Sequence, residues 1–253
     1  MLIDSHAHLA DPKIIENFTE YRNNYLKNGV GLVLDIGCGL NSSKVVRENA
    51  KKYSEVYYTV GCHPDDAGSV DEDAISTLEE LSFDKKCLAV GEIGLDYHYL
   101  NFDKEVQKKA FEMQLELAIK LNKPVIIHSR DAWLDTLNIL KSYAPKLSKG
   151  FLMHCYSGSK EMAKILLDLG AYFALGGVIT FKNAKKDDIV KSIPIDRIFA
   201  ETDCPFMAPT PHRGMVNQPA YVKLVYERMA SIYGVELSVL ESAIENNFKR
   251  LFR

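Results

Sequence analysis

The sequence lacks the features of membrane-spanning and secreted proteins. Among its 253 residues, no apolar run approaches the roughly 20 residues that a membrane helix needs. Met1-Leu2-Ile3 lead directly to Asp4, without the basic and apolar regions of a signal peptide. We therefore expect a soluble, cytoplasmic protein that does not act at a membrane.

Cysteine is scarce, and neither acidic nor basic residues are in large excess. The five cysteines are odd in number and include no Cys-x-x-Cys pair, so the pattern indicates neither a disulfide framework nor a structural zinc knuckle. The formal net charge of −3 provides no attraction of the whole molecule to nucleic acid. If phosphates bind, local basic side chains or metal ions must attract them.

Short apolar runs alternate with longer amphipathic segments along the chain. The runs have few polar interruptions, which is typical of strands buried on both faces by crossover helices. They are Leu2–Ile3, Val30–Ile36, Val56–Val60, Cys87–Val90, Val125–Ile127, Phe151–Met153, Tyr172–Leu175 and Ile198–Ala200. The segments between them carry apolar residues three and four positions apart, which predicts helices. The first predicted helix is Ile14–Lys27, and Tyr221–Tyr233 and Val239–Phe252 read as two final helices.

The number and order of these segments predict an α/β protein, a (β/α)8 TIM barrel. Eight strands that alternate with helices favour a closed parallel barrel over a sandwich or a bundle. About 250 residues is the usual length of such a barrel. A doubly wound open sheet fits the alternation nearly as well, and periodicity does not separate the two. We expect a single domain over residues 1–253, and a monomer.

Histidine and acidic residues follow six of the predicted strands, each where the apolar run stops. They are His6, His8, His63, Glu92, His128, His154 and Asp203. Because a closed parallel barrel gathers the carboxyl ends of its strands around one rim, these side chains are expected to converge. His6 and His8 are two residues apart and face the same way on an extended strand, so both imidazoles can bind one cation. The pattern predicts a catalytic metal site.

The number of candidate ligands indicates two metal ions. One open catalytic metal usually has about three protein ligands, fewer than the histidines and carboxylates present here. The surplus favours a pair of ions that share a bridging carboxylate. Glu92 is the best candidate for the bridge, because it comes from a middle strand. The mixed ligand set suits Zn, Mn, Co or Fe and also permits Mg.

At these residues the sequence resembles the TatD family of metal-dependent deoxyribonucleases, within the amidohydrolase-like superfamily. The matching segments occur in the family's order and extend from Asp4 to the start of the final helices. They are Asp4–Leu9, Val60–Pro64, Gly91–Tyr97, His128–Ala132, His154–Gly158, Glu201–Phe206 and Arg213–Pro219. A lone His-x-His is shared with other metallohydrolases, whereas the ordered set is specific.

The resemblance implies a ligand set, a reaction and a substrate. The expected ligands are His6, His8, Glu92 and Asp203 for one ion and Glu92, His128 and His154 for the other. A metal-activated water would attack a phosphodiester while Asp203 takes its proton, so Asp203 and Glu92 are the catalytic candidates. The implied activity is that of a nuclease on single-stranded DNA, working as a 3′–5′ exonuclease.

Further residues are candidates for binding substrate or for supporting the ligands. They are His63, Asp96, Arg130, Ser157, Glu201 and Arg213. His63 would bind substrate phosphate or support the metal site. Asp96, expected in the loop after the fourth strand, would orient His128 or cap a turn. Glu201 is two residues before Asp203 and would hold a ligand or an arginine.

The two arginines have two interpretations each. Arg130 and Arg213 follow barrel strands and would form paired hydrogen bonds to phosphate. Alternatively, they would form ion pairs with carboxylates such as Asp131 or Glu201.

Two other functions compete with the nuclease. The first is a hydrolase of small amides, esters or lactones, because relatives with other substrates share the barrel and its metal ligands. Glu92, where many relatives use a modified lysine, and the loop residues Ser157, Arg213 and Asn217 favour phosphate instead. The second is a metal-binding barrel that acts through partners without catalysis. It is disfavoured because no expected ligand is missing.

Overall fold

A computed structural model of the protein describes residues 1–99 and 102–253. Within these residues, eight parallel strands form one sheet whose order follows the chain. The strands are β1 (Leu2–Ala7), β2 (Val30–Asp35), β3 (Val56–Val60), β4 (Cys87–Asp96), β5 (Val125–Arg130), β6 (Phe151–Met153), β7 (Ala171–Leu175) and β8 (Ile198–Ala200).

Helices connect the strands and cover the outside of the sheet. Those in the described residues are α1 (Pro12–Ile15), α2 (Phe18–Lys27), α3 (Leu40–Lys52), α4 (Glu72–Leu81), α5 (Lys104–Leu121), α6 (Trp133–Tyr143), α7 (Lys160–Asp168), α8 (Asp187–Ser192), α9 (Val222–Tyr233) and α10 (Leu237–Phe252). None of the helices in residues 1–99 and 102–253 is long and apolar enough to cross a membrane.

The sheet closes where the chain beyond β8 meets β1. The backbone N–H of Asp203 donates to the carbonyl of His6 at 2.9 Å, and the N–H of His8 donates to the carbonyl of Cys204 at 2.9 Å. These bonds pair two edges that an open sheet leaves free, so the structure is the (β/α)8 barrel and not the doubly wound alternative. The same bonds fix the backbone of His6 and His8 beside Asp203.

The core consists of the strands and the inner faces of the helices. Aromatic rings fill much of it, and Tyr58, Phe151, Phe173 and Phe199 are fully buried. The Tyr58 hydroxyl donates to the carbonyl of Leu81 at 2.6 Å, which satisfies a polar group that burial removes from water. The side chains at the rim are therefore carried by strands that pack on a buried aromatic core.

The structure has all eight predicted strands, but three of them extend further at their carboxyl ends than the apolar pattern indicates. β1 continues from Ile3 to Ala7, β4 from Val90 to Asp96, and β5 from Ile127 to Arg130. Polar residues end the apolar run without ending the backbone pairing with the neighbouring strand, as for Asp96 beside Arg130. Asp96 is therefore the last residue of a strand and not part of the following loop.

The first predicted helix, 14–27, is divided in two. Between α1 and α2, the backbone N–H of Asn17 donates to the carbonyl of Ile14 at 3.1 Å and closes a turn. Apolar periodicity continues across this turn, so the sequence pattern did not reveal the interruption.

Candidate metal centre

Glu92 lies at the centre of a buried polar cluster, and its two carboxylate oxygens face different histidines. Oε2 is 3.3 Å from Nε2 of His6 and 3.9 Å from Nε2 of His8. Oε1 is 2.8 Å from Nδ1 of His128 and 3.4 Å from Nε2 of His154. Each oxygen thus lies near two imidazole nitrogens, and the two oxygens face different pairs. A carboxylate that bridges two cations requires this arrangement.

Asp203 adds a second carboxylate on the β1 side of the cluster. Its Oδ1 lies 3.1 Å from Nε2 of His8 and 3.7 Å from Nε2 of His6. His6 and His8 point these nitrogens towards each other at 3.3 Å. Three nitrogen and oxygen donors therefore converge there, and a divalent cation accepts such donors.

Two glycines let β4 carry Glu92 into this position. A Cβ at Gly91 would lie 2.7 Å from the backbone and side chain of Ile126, and one at Gly94 would collide with the carbonyl oxygen of His128. Both glycines have positive φ angles, +153° and +145°, which residues with a side chain rarely adopt. Glycine at both positions allows β4 to approach β5, so that Glu92 and His128 meet.

Acidic side chains contact two of the histidines at the ring nitrogen that faces away from the centre of the cluster. Asp96 Oδ2 lies 2.9 Å from Nε2 of His128, which leaves Nδ1 of that ring facing Glu92. Glu201 Oε2 lies 3.2 Å from Nδ1 of His154, which leaves Nε2 facing the centre. Such contacts select the nitrogen that is free to bind a metal and fix the plane of the ring.

Asp96 fulfils both roles that the sequence left open, because each oxygen has a different partner. While Oδ2 faces His128, Oδ1 accepts the backbone N–H of His98 at 2.8 Å and that of Tyr99 at 3.2 Å. Burial would raise the pKa of Asp96, but the hydrogen bonds from His128 and from these backbone groups lower it to about 2. Asp96 is therefore a carboxylate at neutral pH.

The carboxylates of the cluster are ionised. Burial acts to raise the pKa of Glu92, but the surrounding histidines, His154 and His6 foremost, hold it well below its usual range. The pKa of Asp203 is lowered in the same way against burial, by His154 and His8. Two buried negative charges among imidazoles favour positive charge at the centre, which divalent cations supply.

The other predicted residues differ in how close they lie to the centre. His63 is near it, with Nε2 3.8 Å from Oε1 of Glu92. Ser157 and Arg130 line the cleft above the cluster. Arg130 stacks its guanidinium over the ring of Tyr99, 4.8 Å from the centroid. Arg213 is not among the described residues that line the cleft, and its guanidinium lies 4.1 Å from the ring centroid of Phe181.

Neither suggested ion pair of the arginines occurs among the described residues. Asp131 pairs with His98: Oδ2 of Asp131 lies 3.0 Å from Nδ1 of His98. Besides holding His154, Glu201 accepts the backbone N–H of Cys155 at 2.7 Å. Both carboxylates thus have partners other than Arg130 and Arg213.

Cys38 contacts the cluster, although the sequence pattern did not single it out. Its Sγ lies 3.3 Å from Nδ1 of His8 and 3.9 Å from Oε2 of Glu92. It follows β2, so the same positional rule that selected the other residues also applies to it. The sequence prediction names only histidine and acidic residues as candidate ligands, so it does not include Cys38.

The cluster forms the floor of an open cleft of about 890 Å³. Residues from the two sides of the barrel line it, including His63, Tyr99, Arg130, Ser157 and Phe206. A volume of this size holds more than one metal ion with its water. The cluster is therefore accessible to a small molecule from solvent.

A closed parallel barrel with histidines and carboxylates at its carboxyl-terminal rim is typical of metal-dependent hydrolases. Known proteins agree with this class. A family model described as TatD related DNase matches residues 3–253. The chain is 39% identical to the uncharacterized metal-dependent hydrolase YabD of Bacillus subtilis, over 100% of this chain and 99% of that protein. The chain therefore belongs to the TatD family, whose members in these comparisons are metal-dependent hydrolases.

Solved structures support the same assignment. The TatD homologue YJJV of Escherichia coli K12 superposes with a TM-score of 0.91 at 27% identity, covering 99% of this chain and 97% of that one. A variant of the organophosphorus hydrolase from Deinococcus radiodurans superposes with a TM-score of 0.68 at 14% identity, covering 100% and 93%. This second likeness concerns the fold alone. The predicted family, the barrel and the class of metal-dependent hydrolase are thus confirmed.

Proposed function

We propose that the protein is a two-metal nuclease that hydrolyses phosphodiester bonds of single-stranded DNA from the 3′ end. The observation that carries the proposal is the placement of Glu92, whose two oxygens face two different pairs of imidazole nitrogens. The family model, described as TatD related DNase, supports the substrate.

The proposed ligands divide between two cations, Mg, Mn or Zn. On the ligand set that the family resemblance implies, His6, His8, Glu92 and Asp203 hold the first ion, and Glu92, His128 and His154 hold the second. In the structure the ligand atoms of His6, His8 and Asp203 lie together, as do those of His6, Glu92 and His154 and those of His63, Glu92 and His128. Bound there, divalent cations lower the pKa of a water and stabilise negative charge on phosphoryl oxygens.

The side chains of the protein bind the substrate and move the proton. Asp203 is ionised and close to His8, so it accepts the proton of the attacking water. Arg130, Ser157 and His63 line the cleft, and they bind the phosphate that is to be cleaved and its neighbours. Asp96 and Glu201 keep the rings of His128 and His154 in place.

The first experiment tests the substrate. Purified protein with Mg or Mn should shorten a 5′-labelled single-stranded oligonucleotide one nucleotide at a time, and EDTA should stop the reaction. A panel of small amides, esters and lactones is assayed in parallel under the same metals. An intact oligonucleotide together with turnover in that panel would overturn the nuclease in favour of the alternative hydrolase.

The second experiment tests the number of ions. Metal analysis of the protein at saturation should find two ions per chain, and His128→Ala should reduce this to one. His98→Ala is the matched control, because His98 pairs with Asp131 away from Glu92. One ion per chain in the unmodified protein would overturn the two-metal proposal.

A further inference from the structure

Two half-exposed aromatic rings line the cleft, and they follow opposite strands of the barrel. Phe206 is 46% exposed and Tyr99 is 55% exposed, although both line the cavity above the cluster. Tyr99 follows β4 and Phe206 follows β8, which are four strands apart in an eight-stranded closed barrel. The two residues therefore follow strands on opposite sides of the barrel, and both line the cleft above the candidate metal centre.

Each ring is tied to an acidic residue of the cluster three positions earlier. The backbone N–H of Phe206 donates to the carbonyl of Asp203 at 2.9 Å. The backbone N–H of Tyr99 donates to Oδ1 of Asp96 at 3.2 Å. The ring of Phe206 also lies edge-on to His8, with centroids 5.9 Å apart. The backbone of each ring-bearing residue is thus fixed beside a residue of the cluster, and the Phe206 ring contacts His8 itself.

A basic side chain accompanies each ring. Arg130 lies over Tyr99 with its guanidinium carbon 4.8 Å from the ring centroid. Lys13 places its ammonium nitrogen 6.0 Å from the ring centroid of Phe206. A flat apolar face beside a cation matches a nucleotide, which has a flat base next to a negative phosphate.

We propose that Tyr99 and Phe206 are stacking platforms for the two nucleobases that flank the scissile phosphate, with Arg130 and Lys13 binding the adjacent phosphates. This inference rests on the nuclease function proposed above. Every base has a π face, so stacking accepts any sequence. In a duplex the faces of the bases are already stacked on their neighbours, so the two rings select unpaired strands.

The test compares two substrates in steady-state hydrolysis. One is a single-stranded decamer of thymidylate, and the other is the same decamer with abasic sites at its last two positions. Phe206→Ala and Tyr99→Ala should each raise the KM for the intact decamer about tenfold, as expected for the loss of one base–aromatic stack. The abasic decamer already lacks these stacks, so its KM should be high and the same in all proteins.

The controls separate stacking from a general disturbance of the rim. Phe83→Ala removes a ring that is 71% exposed and precedes β4 at the other end of the barrel, and its KM should equal that of the unmodified protein. Tyr99→Phe keeps the π face and should restore the KM. In addition, the fluorescence of 2-aminopurine at the last position of the decamer should be quenched on binding. The alanine variant that lacks the ring stacked on that base should lose this quenching.

The outcomes distinguish this inference from the function on which it rests. Cleavage of the intact decamer with unchanged KM in both alanine variants would overturn the stacking platforms alone. Equal KM values of the unmodified protein for the intact and abasic decamers would also overturn them. No cleavage of either decamer by the unmodified protein under any metal would overturn the nuclease itself.

Discussion

Where β8 lies beside β1, the barrel has an apolar region and a polar region. The apolar region faces the outer helices, and the polar region is the carboxyl-terminal rim. On the outside, Phe199 of β8 packs edge to face against Phe252 of α10, with ring centroids 5.8 Å apart. At the carboxyl-terminal rim, His6 and Asp203 are almost as deeply buried, at 0% and 7% exposed. We call the packing of the strands against the helices outside them the outer layer. It removes apolar surface from water and stabilises the fold. The rim buries polar groups, which costs free energy unless each one has a partner.

The rim shows this cost in two places. Asp4 is fully buried, and this burial raises its pKa to about 8 even though Thr202 donates two hydrogen bonds to it. Nδ1 of His6 has no hydrogen-bond partner among the described residues. Barrel enzymes commonly separate catalysis and stability between different parts of the fold. Here the two regions differ by position along the same two strands.

The largest expected effect is the loss of activity at the rim without loss of the fold. Asp203→Ala should reduce hydrolysis about 10³-fold or more, because it removes both a proposed ligand and the proton acceptor. Only a modest loss in stability is expected, measured as the thermal midpoint. Asp196→Ala, an exposed acid before β8, is the control. Full activity in Asp203→Ala would show that its assigned role is wrong.

In the outer layer we expect a loss of stability without a change in substrate binding. Phe199→Ala leaves a cavity against α10 and should lower the free energy of unfolding by about 3–5 kcal/mol. In urea titrations the midpoint should fall, while the KM of the remaining folded protein stays unchanged. A large change in KM with little loss of stability would remove the distinction between the two regions.

A smaller effect, on metal affinity, is expected from the residues that hold the proposed ligands in position. Glu201→Gln weakens the contact that fixes His154 and should reduce affinity for the second ion about 10–100-fold. Calorimetric titration with Mn measures this affinity directly, without an activity assay. Glu227→Gln, on the exposed side of α9, provides the comparison. Identical affinities in the two variants would contradict a supporting role for Glu201.

The smallest effect belongs to the polar contact within the outer layer. The hydroxyl of Tyr226 on α9 accepts the backbone N–H of Ile3 at 3.1 Å and donates to its carbonyl at 3.2 Å. Tyr226→Phe should therefore cost about 1–2 kcal/mol of stability, with kcat and KM for DNA unchanged. Chemical denaturation measures the first quantity and steady-state hydrolysis the second. A changed kcat would show that the outer layer also positions the rim.

Much of the fold was predictable because burial imposes a pattern on the sequence. Strands covered on both faces must be apolar, so the eight runs and their order were visible without coordinates. The ends of strands were less visible, because β4 continues through Glu92 to Asp96 after its apolar run stops. Backbone pairing depends on the neighbouring strand, and no local pattern reports it.

The set of residues at the rim was also predictable from position alone. A histidine or an acid at the end of each strand must approach the others once the barrel closes, as the contacts of Glu92 with His6 and His128 demonstrate. Cys38 was not predicted, because a cysteine after a strand is read as a small buried residue unless its contacts are known. The partners of Arg130 and Arg213 could not be predicted, because long side chains reach several neighbours from the same backbone position.

The sequence by itself determined the class of fold, the family and the residues that gather at one rim, because burial and strand order require only local patterns. The tertiary structure alone decided which atoms meet. It placed Oε2 of Glu92 towards His6 and Oε1 towards His128, and it brought both Phe206 and Tyr99 to the lining of the cleft. These relations depend on strand register, ring orientation and barrel closure, which arise from contacts between residues far apart in the chain.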